Sequence, residues 1–408
     1  MSVFAWGCGR YGQLGNGLLD NQPLPIKMDL SFLPSKDEEI PISVTCGSHC
    51  TFVVTSKKNV YVCGMGRYGR MGEGSQNDRN FPVAVKLPAY IANLSSRFTH
   101  SCAVDKSGQV YCWGSTQALC NPIISSVTED TATSSRKEMG AGKASASMAD
   151  ILIPASIDVP LLDGMDRALT VACGHNFTFV VTESGMVFSW GNGKHGVLGH
   201  GNENNVARPS LVESLCGIRI VGAECGSNMA ALLSEDGQLF TAGCSKEFAL
   251  GHGPMSAPVK TFKPIEKLFG QKLTACSCSK GEHHRHMLAC TETGTVYSWG
   301  DGSKGKLGHG DINPVEWPRM IDQQFFLGQR VVKVAVGGLH SLALTEKGLV
   351  FSWGCGSDGR LGHKDSIGHR YLYKEASPRL VESLSMLGQV TDIDCSYYHC
   401  AAVVTTKL

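Results

Sequence analysis

A glycine that closes a short apolar run recurs seven times along the 408 residues, at Gly7, Gly64, Gly114, Gly191, Gly243, Gly300 and Gly354. The intervals are 57, 50, 77, 52, 57 and 54 residues. A period of ~50 residues restricts the chain to a stack or a ring of similar units, each too small to bury its own apolar faces. The opening "FAWGCGRYGQLGNG" also spells GxGxxG at Gly7, Gly9 and Gly12, as a dinucleotide-binding loop would. The same spelling starts again at Gly64, Gly191, Gly300 and Gly354, and Pro23 and Pro25 break the helix that such a loop must open. One protein has no use for five pyrophosphate loops. The glycines punctuate a repeat.

Each full unit reads as "HSLALTEKGLVFSWG" does from His340 to Gly354: an apolar run, a turn at Gly348, and a second apolar run. Matching runs start at Cys50, His100, Phe177, Met229 and His286, and each reaches its own glycine in the same fifteen positions. Short runs rich in Val, Ile, Phe, Tyr and Trp, bounded by Gly, Asn and Asp, are strand signals, and helical periodicity is nowhere sustained. The class is all-β. At the start, "SVFAWG" has no partner run before it; at the end, "VTDIDCSYYHCAAVVTTKL" stops where the next "VFSWG" should follow. The two halves complete one unit. A linear stack needs polar caps, whereas both ends here are apolar strand, with Val3, Phe4 and Trp6 at one and Val403 and Val404 at the other. A closed ring buries them, so residues 1–408 are expected to form a single seven-bladed β-propeller whose terminal blade is shared between the two chain ends.

The stretches "VACGHNFTFVVTESGMVFSWGNGKHGVLGHG" and "VAVGGLHSLALTEKGLVFSWGCGSDGRLGH" resemble repeats of the regulator of chromosome condensation family, and the resemblance extends over nearly the whole chain. It implies the same seven-bladed propeller with a split terminal blade. It leaves function open, because family members serve in nucleotide exchange, ubiquitin-ligase regulation, photoreception and ciliary scaffolding. The founding members are exchange factors for the small GTPase Ran. At the matching positions in "SSRFTHS" this chain has Arg97 in place of the strand glycine and Phe98 where the exchange factors have a carboxylate, and in "CGHNFT" it has Asn176 where they have another; His283 and His284 in "SKGEHHRHM" match their histidine pair. The resemblance therefore favours a non-enzymatic protein-interaction platform, with an exchange factor for a Ran-like GTPase as the alternative. Candidate partner-binding residues are Arg97, Phe98, Asn176, His283, His284 and Arg285, with Arg136 and Lys137 in a polar insertion. The expected partner is another protein, a small GTPase or a component of a larger assembly.

Other signals are weaker. "ACSCSKGEHHRHMLAC" could suggest a metal site, but His286 aligns with His100, His340 and His399, so the repeat already accounts for it; no metal, catalytic residue or cofactor is assigned. The tryptophans at the WG position are packing residues, and Trp317 alone lies elsewhere, which gives no support to photoreception. Seventeen cysteines scattered through apolar runs, without an export signal, are expected to be reduced and buried. With a net charge of +1 and no basic run at either end, no DNA-gripping arm is expected, and no apolar stretch is long enough to span a membrane. The expected compartment is intracellular, cytoplasmic or nuclear, with cytoskeletal or ciliary settings also open. The interval of 77 places a Ser/Ala/Thr-rich insertion at 122–150, in the third repeat, with almost no large apolar residue. Replacing residues 124–150 with a short Gly/Ser linker should leave the melting temperature within about two degrees of the parent in a thermal scan, since so little apolar surface is there to bury.

Overall fold

The computed structural model describes residues 1–33, 39–88, 90–119, 149–161, 166–367 and 372–406. The insertion at 122–150, apart from its last two residues, and with it Arg136 and Lys137, lies outside the described residues. Within the described residues, twenty-eight strands, numbered β1–β28 in chain order, form seven four-stranded antiparallel sheets. Six sheets are consecutive in the chain and form blades 1–6, starting at β3 (Pro41–Cys46); the sheet shared by the two ends is blade 7. The seventh has the order β2 (Gln22–Lys27), β1 (Ser2–Gly7), β28 (His399–Thr406), β27 (Gly388–Cys395), with Ser2 opposite Val404 and Gly7 opposite His399. The shared blade is formed as the two half-repeats require, and Val3, Trp6, Val403 and Val404 are fully buried.

Each blade starts at the centre of the ring. The innermost strands are β3 (Pro41–Cys46), β7 (Ile91–Arg97), β11 (Ala168–Cys173), β15 (Ile220–Cys225), β19 (Leu273–Cys278), β23 (Val331–Val336) and β27. Each touches the next, and β27 touches β3, so seven strands close around a channel. The second strand of each consecutive blade, such as β4 (Cys50–Thr55), β8 (His100–Asp105) and β24 (His340–Thr345), is buried at every residue. Both of its faces pack against neighbouring blades, which explains why these runs are continuously apolar instead of alternating. They begin at the positions the sequence register indicated.

Two sets of polar groups tie blade to blade. The indole N–H of Trp6, Trp113, Trp299 and Trp353 donates to the carbonyl of Arg360, Arg70, Ala249 and Lys306, each in a loop of the preceding blade, at 2.8–3.0 Å. In the other direction, Nε2 of His100, His286, His340 and His399 meets Thr178, Ser341, Cys400 and Thr51 of the following blade. The last of these crosses the closure. The glycine after each tryptophan is set by a close approach: at Gly354 φ is +103°, and a Cβ would lie 2.6 Å from the Leu339 carbonyl oxygen. No other residue fits there.

One expectation is corrected. Cys102 and Cys112, directly opposite each other on β8 and β9 (Val110–Gly114), are joined as a disulfide, which their separation of ten residues across one hairpin makes possible. Among the described residues fourteen other cysteines are free, twelve of them buried.

Burial of the four histidines has a consequence for acid stability. It holds His100 and His399 down to about 3 and His286 and His340 well below the ordinary imidazole value. Protonation therefore favours the unfolded chain, and stability that is complete above the unfolded value of about 6.5 is lost as pH falls through it. Urea denaturation at pH 7, 6 and 5 should show ΔG falling, with each histidine contributing up to about 1.4 kcal/mol per pH unit below 6. A His399→Gln variant should have a shallower slope.

Candidate functional site

The turns that join each inner strand to the second strand gather at one end of the channel, together with the glycine-rich loops that follow the WG strands. There they enclose a pocket of 590 Å³ lined by residues of blades 1, 2, 3, 5 and 7. Phe98 comes from blade 2, His175 from blade 3, Glu282, His283 and His284 from blade 5, and Tyr397 and Tyr398 from the shared blade. Blade 1 adds His49, Arg67, Tyr68 and Arg70.

Aromatic rings and cations alternate around this mouth. Phe98 stacks on His175 with centroids 4.3 Å apart, and His175 Nδ1 lies 3.1 Å from the Glu282 carboxylate, which joins blades 3 and 5 across the opening. The guanidinium of Arg67 lies 4.8 Å and that of Arg70 5.5 Å from the Tyr68 ring centre, and Arg360 is 5.4 Å from that of Tyr398. Such pairs hold rings in fixed orientations while leaving part of each accessible. Tyr68 sits at φ +66°, the same left-handed position that His195, Glu247, Lys304 and Asp358 occupy in other blades, so the repeat loop presents one side chain at this position in five blades. Gly338 gives the Tyr397 ring room: a Cβ there would lie 2.4 Å from it. Burial lowers the His49 imidazole to about 4, with the Arg70 charge acting in the same direction, and burial also lowers His175 despite Glu282. Both are neutral at physiological pH.

The structure distributes the sequence candidates among different environments. Phe98, His283 and His284 line the pocket. Asn176 lies beside it, with its side-chain oxygen accepting from the Thr99 hydroxyl at 3.0 Å. His284 Nδ1 contacts Asp301 at 2.8 Å, and Asp301 also accepts from the buried Lys306 ammonium at 2.6 Å. Arg285 turns inward, where its backbone N–H and guanidinium both reach Glu247. Arg97 points into the channel and is 3.6 Å from Glu224 of blade 4. Arg285 and Arg97 are thus separated from the pocket group. Sequence reasoning missed Tyr68, His175, Tyr397 and Tyr398. The signal for the last pair was the "YY" that stands where blade 6 has "GL", Gly338 and Leu339, two turns that meet in space.

Comparison with known proteins places the chain in a family. Regulator of chromosome condensation (RCC1) repeat models match residues 2–54, 184–233, 293–344 and 347–403, and a second form matches 98–117, 169–197 and 331–360. The chain belongs to the RCC1 repeat family. It is 31% identical to the ultraviolet-B receptor UVR8 of Arabidopsis thaliana over 95% of this chain and 79% of the receptor. It is 30% identical to human E3 ubiquitin-protein ligase HERC2 over its full length, which spans 8% of the ligase. Among solved structures, human WBSCR16 superimposes with a TM-score of 0.80 at 22% identity, covering 100% of this chain and 99% of that one. Prp20p of Saccharomyces cerevisiae, described with its binding to Gsp1p and histones, gives 0.77 at 22% identity, covering 100% and 92%. At that identity the likeness shows the fold alone. The relatives point to a regulatory or interaction role. The tryptophans of this chain are arranged as a packing series: all five at the WG position are buried at blade joints, and Trp317 lies alone on the outer strand β22 (Val315–Met320). Among the described residues no helix is long and apolar enough to cross a membrane.

The environments of these residues separate surface from support. Glu247→Gln should destabilise the chain by about 1.5–3 kcal/mol in urea denaturation, because the buried Arg285 guanidinium loses its counter-charge. Phe98→Ala and His283→Ala, on a partly open surface, should cost less than about 1 kcal/mol each.

Proposed function

We propose that this protein is a non-enzymatic interaction platform that binds another protein at the channel mouth. The observation that carries this reading is the pocket of Phe98, Tyr68, His175, Tyr397 and Tyr398, in which five blades bring ring faces and cations to one opening. Aromatic and arginine groups held in a concavity are the composition of energetic hot spots, and a rigid ring presents them with little ordering cost. The exposed Arg67 guanidinium and the ring N–H groups of His283 and His284, beside one carboxylate in the pocket, Glu282, favour a partner loop that carries an acidic residue beside an apolar one. Capture of partners from cell extract by the intact chain, with a Phe98→Ala/Tyr397→Ala double variant in parallel, tests the reading. A partner whose capture falls at least about tenfold with the double variant, and not with Trp317→Ala, supports it. Equal capture by both overturns it.

The exchange-factor alternative draws on His283 and His284. Against it, Phe98 offers no acceptor and is committed to His175, and the Asn176 oxygen is committed to Thr99. Two missing charge-assisted contacts correspond to a deficit of about 3–6 kcal/mol, a hundredfold or more in rate. Release of a fluorescent guanine nucleotide from Ran, followed at submicromolar concentrations of this protein, should show no appreciable acceleration. Robust catalytic release would reverse the choice between the two readings.

A further inference from the structure

Behind the mouth, inside the ring, lies a second cavity of 290 Å³ with charged walls. This is near the lower end, about 300 Å³, of volumes that hold small molecules. Its acidic side is neutralised. Asp392 of β27 accepts from Lys333 Nζ at 2.6 Å and from the Val44 N–H at 3.0 Å. Asp394 accepts from Lys280 Nζ at 3.0 Å and from the Cys46 N–H at 2.7 Å. Lys280 is buried and also donates to the carbonyls of Cys46 and Cys395. Two acids and two lysines cancel, and most of their hydrogen-bonding groups are engaged.

Arg97 is not balanced in this way. Its side chain is 8% exposed, its Nε and one terminal nitrogen are buried without a partner, and no hydrogen bond from its guanidinium to the protein is present among the described residues. Its nearest counter-charge is Glu224, at 3.6 Å. Burial holds that carboxyl up at about 7, against the pull of Arg97. A buried guanidinium with no hydrogen bond is costly, so an acceptor beside it would be strongly favoured. The neighbouring side chains on β7 are donors. The Asn93 amide oxygen accepts from the Val171 N–H and the Ser95 hydroxyl oxygen from the Cys173 N–H, each at 2.9 Å, which leaves their own hydrogens to donate.

We propose that the channel wall formed by Arg97, Asn93 and Ser95, with Glu224 beside it, is a binding site for a small oxyanion carrying a carboxylate or phosphate group. The guanidinium offers a planar set of N–H donors suited to such a group, and the amide and hydroxyl supply further ones. The site does not depend on the partner reading, since it is enclosed by inner strands and uses none of the mouth aromatics. Glu224 faces Arg97 from β7, Lys333 from β23 and Asp394 from β27, with the thiols of Cys225, Cys276 and Cys278 around it held neutral by burial. An arriving anion favours the neutral form of Glu224, so binding takes up a proton and strengthens as pH falls from 8 to 6.

Titration calorimetry on the full chain, with inorganic phosphate and separately with succinate at ionic strength matched by sodium chloride, tests the site and distinguishes the two anion classes. Saturable binding of at least one of them is expected. Arg97→Gln should weaken it at least about tenfold, the size of one charge-assisted hydrogen bond, and Glu224→Gln should tighten it and flatten the pH dependence read with succinate, since phosphate itself takes up a proton in this range. Lack of saturation with both anions overturns the proposal, as does unchanged affinity in a folded Arg97→Gln protein. If Arg97→Gln does not fold, the decision passes to Glu224→Gln, whose affinity and pH profile matching the parent would equally overturn it.

Discussion

The structure depends on the fact that no blade can bury its own second strand. In β4, β8 and β24 every residue is buried, and the cover over both faces is supplied by neighbouring sheets. Each blade is therefore stable only between two others, and the ring is stable only when closed. The polar contacts follow the same rule. A tryptophan N–H reaches back to the preceding blade and a histidine Nε2 reaches forward to the next, so these buried donors and acceptors are satisfied across joints. The pairing of β1 with β28, and the His399–Thr51 contact between the shared blade and the first, make the two chain ends part of the same circuit.

The repeat made most of this architecture readable. A glycine that tolerates φ near +100° and approaches the next turn closely has no substitute, so it marks the end of every third strand without ambiguity. Continuous apolar runs marked the second strands, and the two half-repeats indicated closure. The inner strands were harder to read functionally. In "ANLSSR" and "TDIDC" polar side chains alternate with apolar ones, an ordinary strand pattern whose meaning depends on what the ring places opposite. That Arg97 faces Glu224 of blade 4, or that Asp394 meets Lys280 of blade 5, follows from the curvature of the whole ring and has no local signature. The same limit applied at the mouth. Phe98, His283 and His284 could be picked out by aligning repeats, whereas the stacking of Phe98 on His175 and the seat of Tyr397 against Gly338 join residues of different blades.

Once the joints fix the ring, the turns at its ends are released from packing constraints and can diverge separately. The left-handed position of the glycine-rich loop illustrates this: the backbone is repeated, while the side chain it presents is Tyr68 in one blade, His195 in another, and Lys304 or Asp358 in others. A non-glycine residue at positive φ carries a modest cost, and the loop's own hydrogen bonds, such as Gly69 N–H to the Gly66 carbonyl at 2.9 Å, hold it there. The resulting face is asymmetric, with aromatic rings concentrated at the mouth between blade 1 and the shared blade. Function in such a molecule is a property of a few turns on a common frame, which is why relatives with the same fold differ in what they do.

The channel follows a related logic with charges. An inner strand exposes one edge of N–H groups to its neighbour, and these need acceptors that the neighbouring backbone does not supply at that distance. Asp392 and Asp394 serve Val44 and Cys46, Asn93 and Ser95 serve Val171 and Cys173, and Ser277 serves Val336. Where the acceptor is a carboxylate, a lysine from blade 5 or blade 6 balances it; where it is a neutral side chain, no counter-charge is required. Arg97 lies on the neutral side, on the same strand as Asn93 and Ser95, so its charge serves none of these edge contacts. Glu224, half-buried and held near neutrality, compensates it only in part. The edge contacts thus account for the acids and lysines of the channel as parts of the ring, and leave Arg97 as the charged group whose presence the architecture alone does not require.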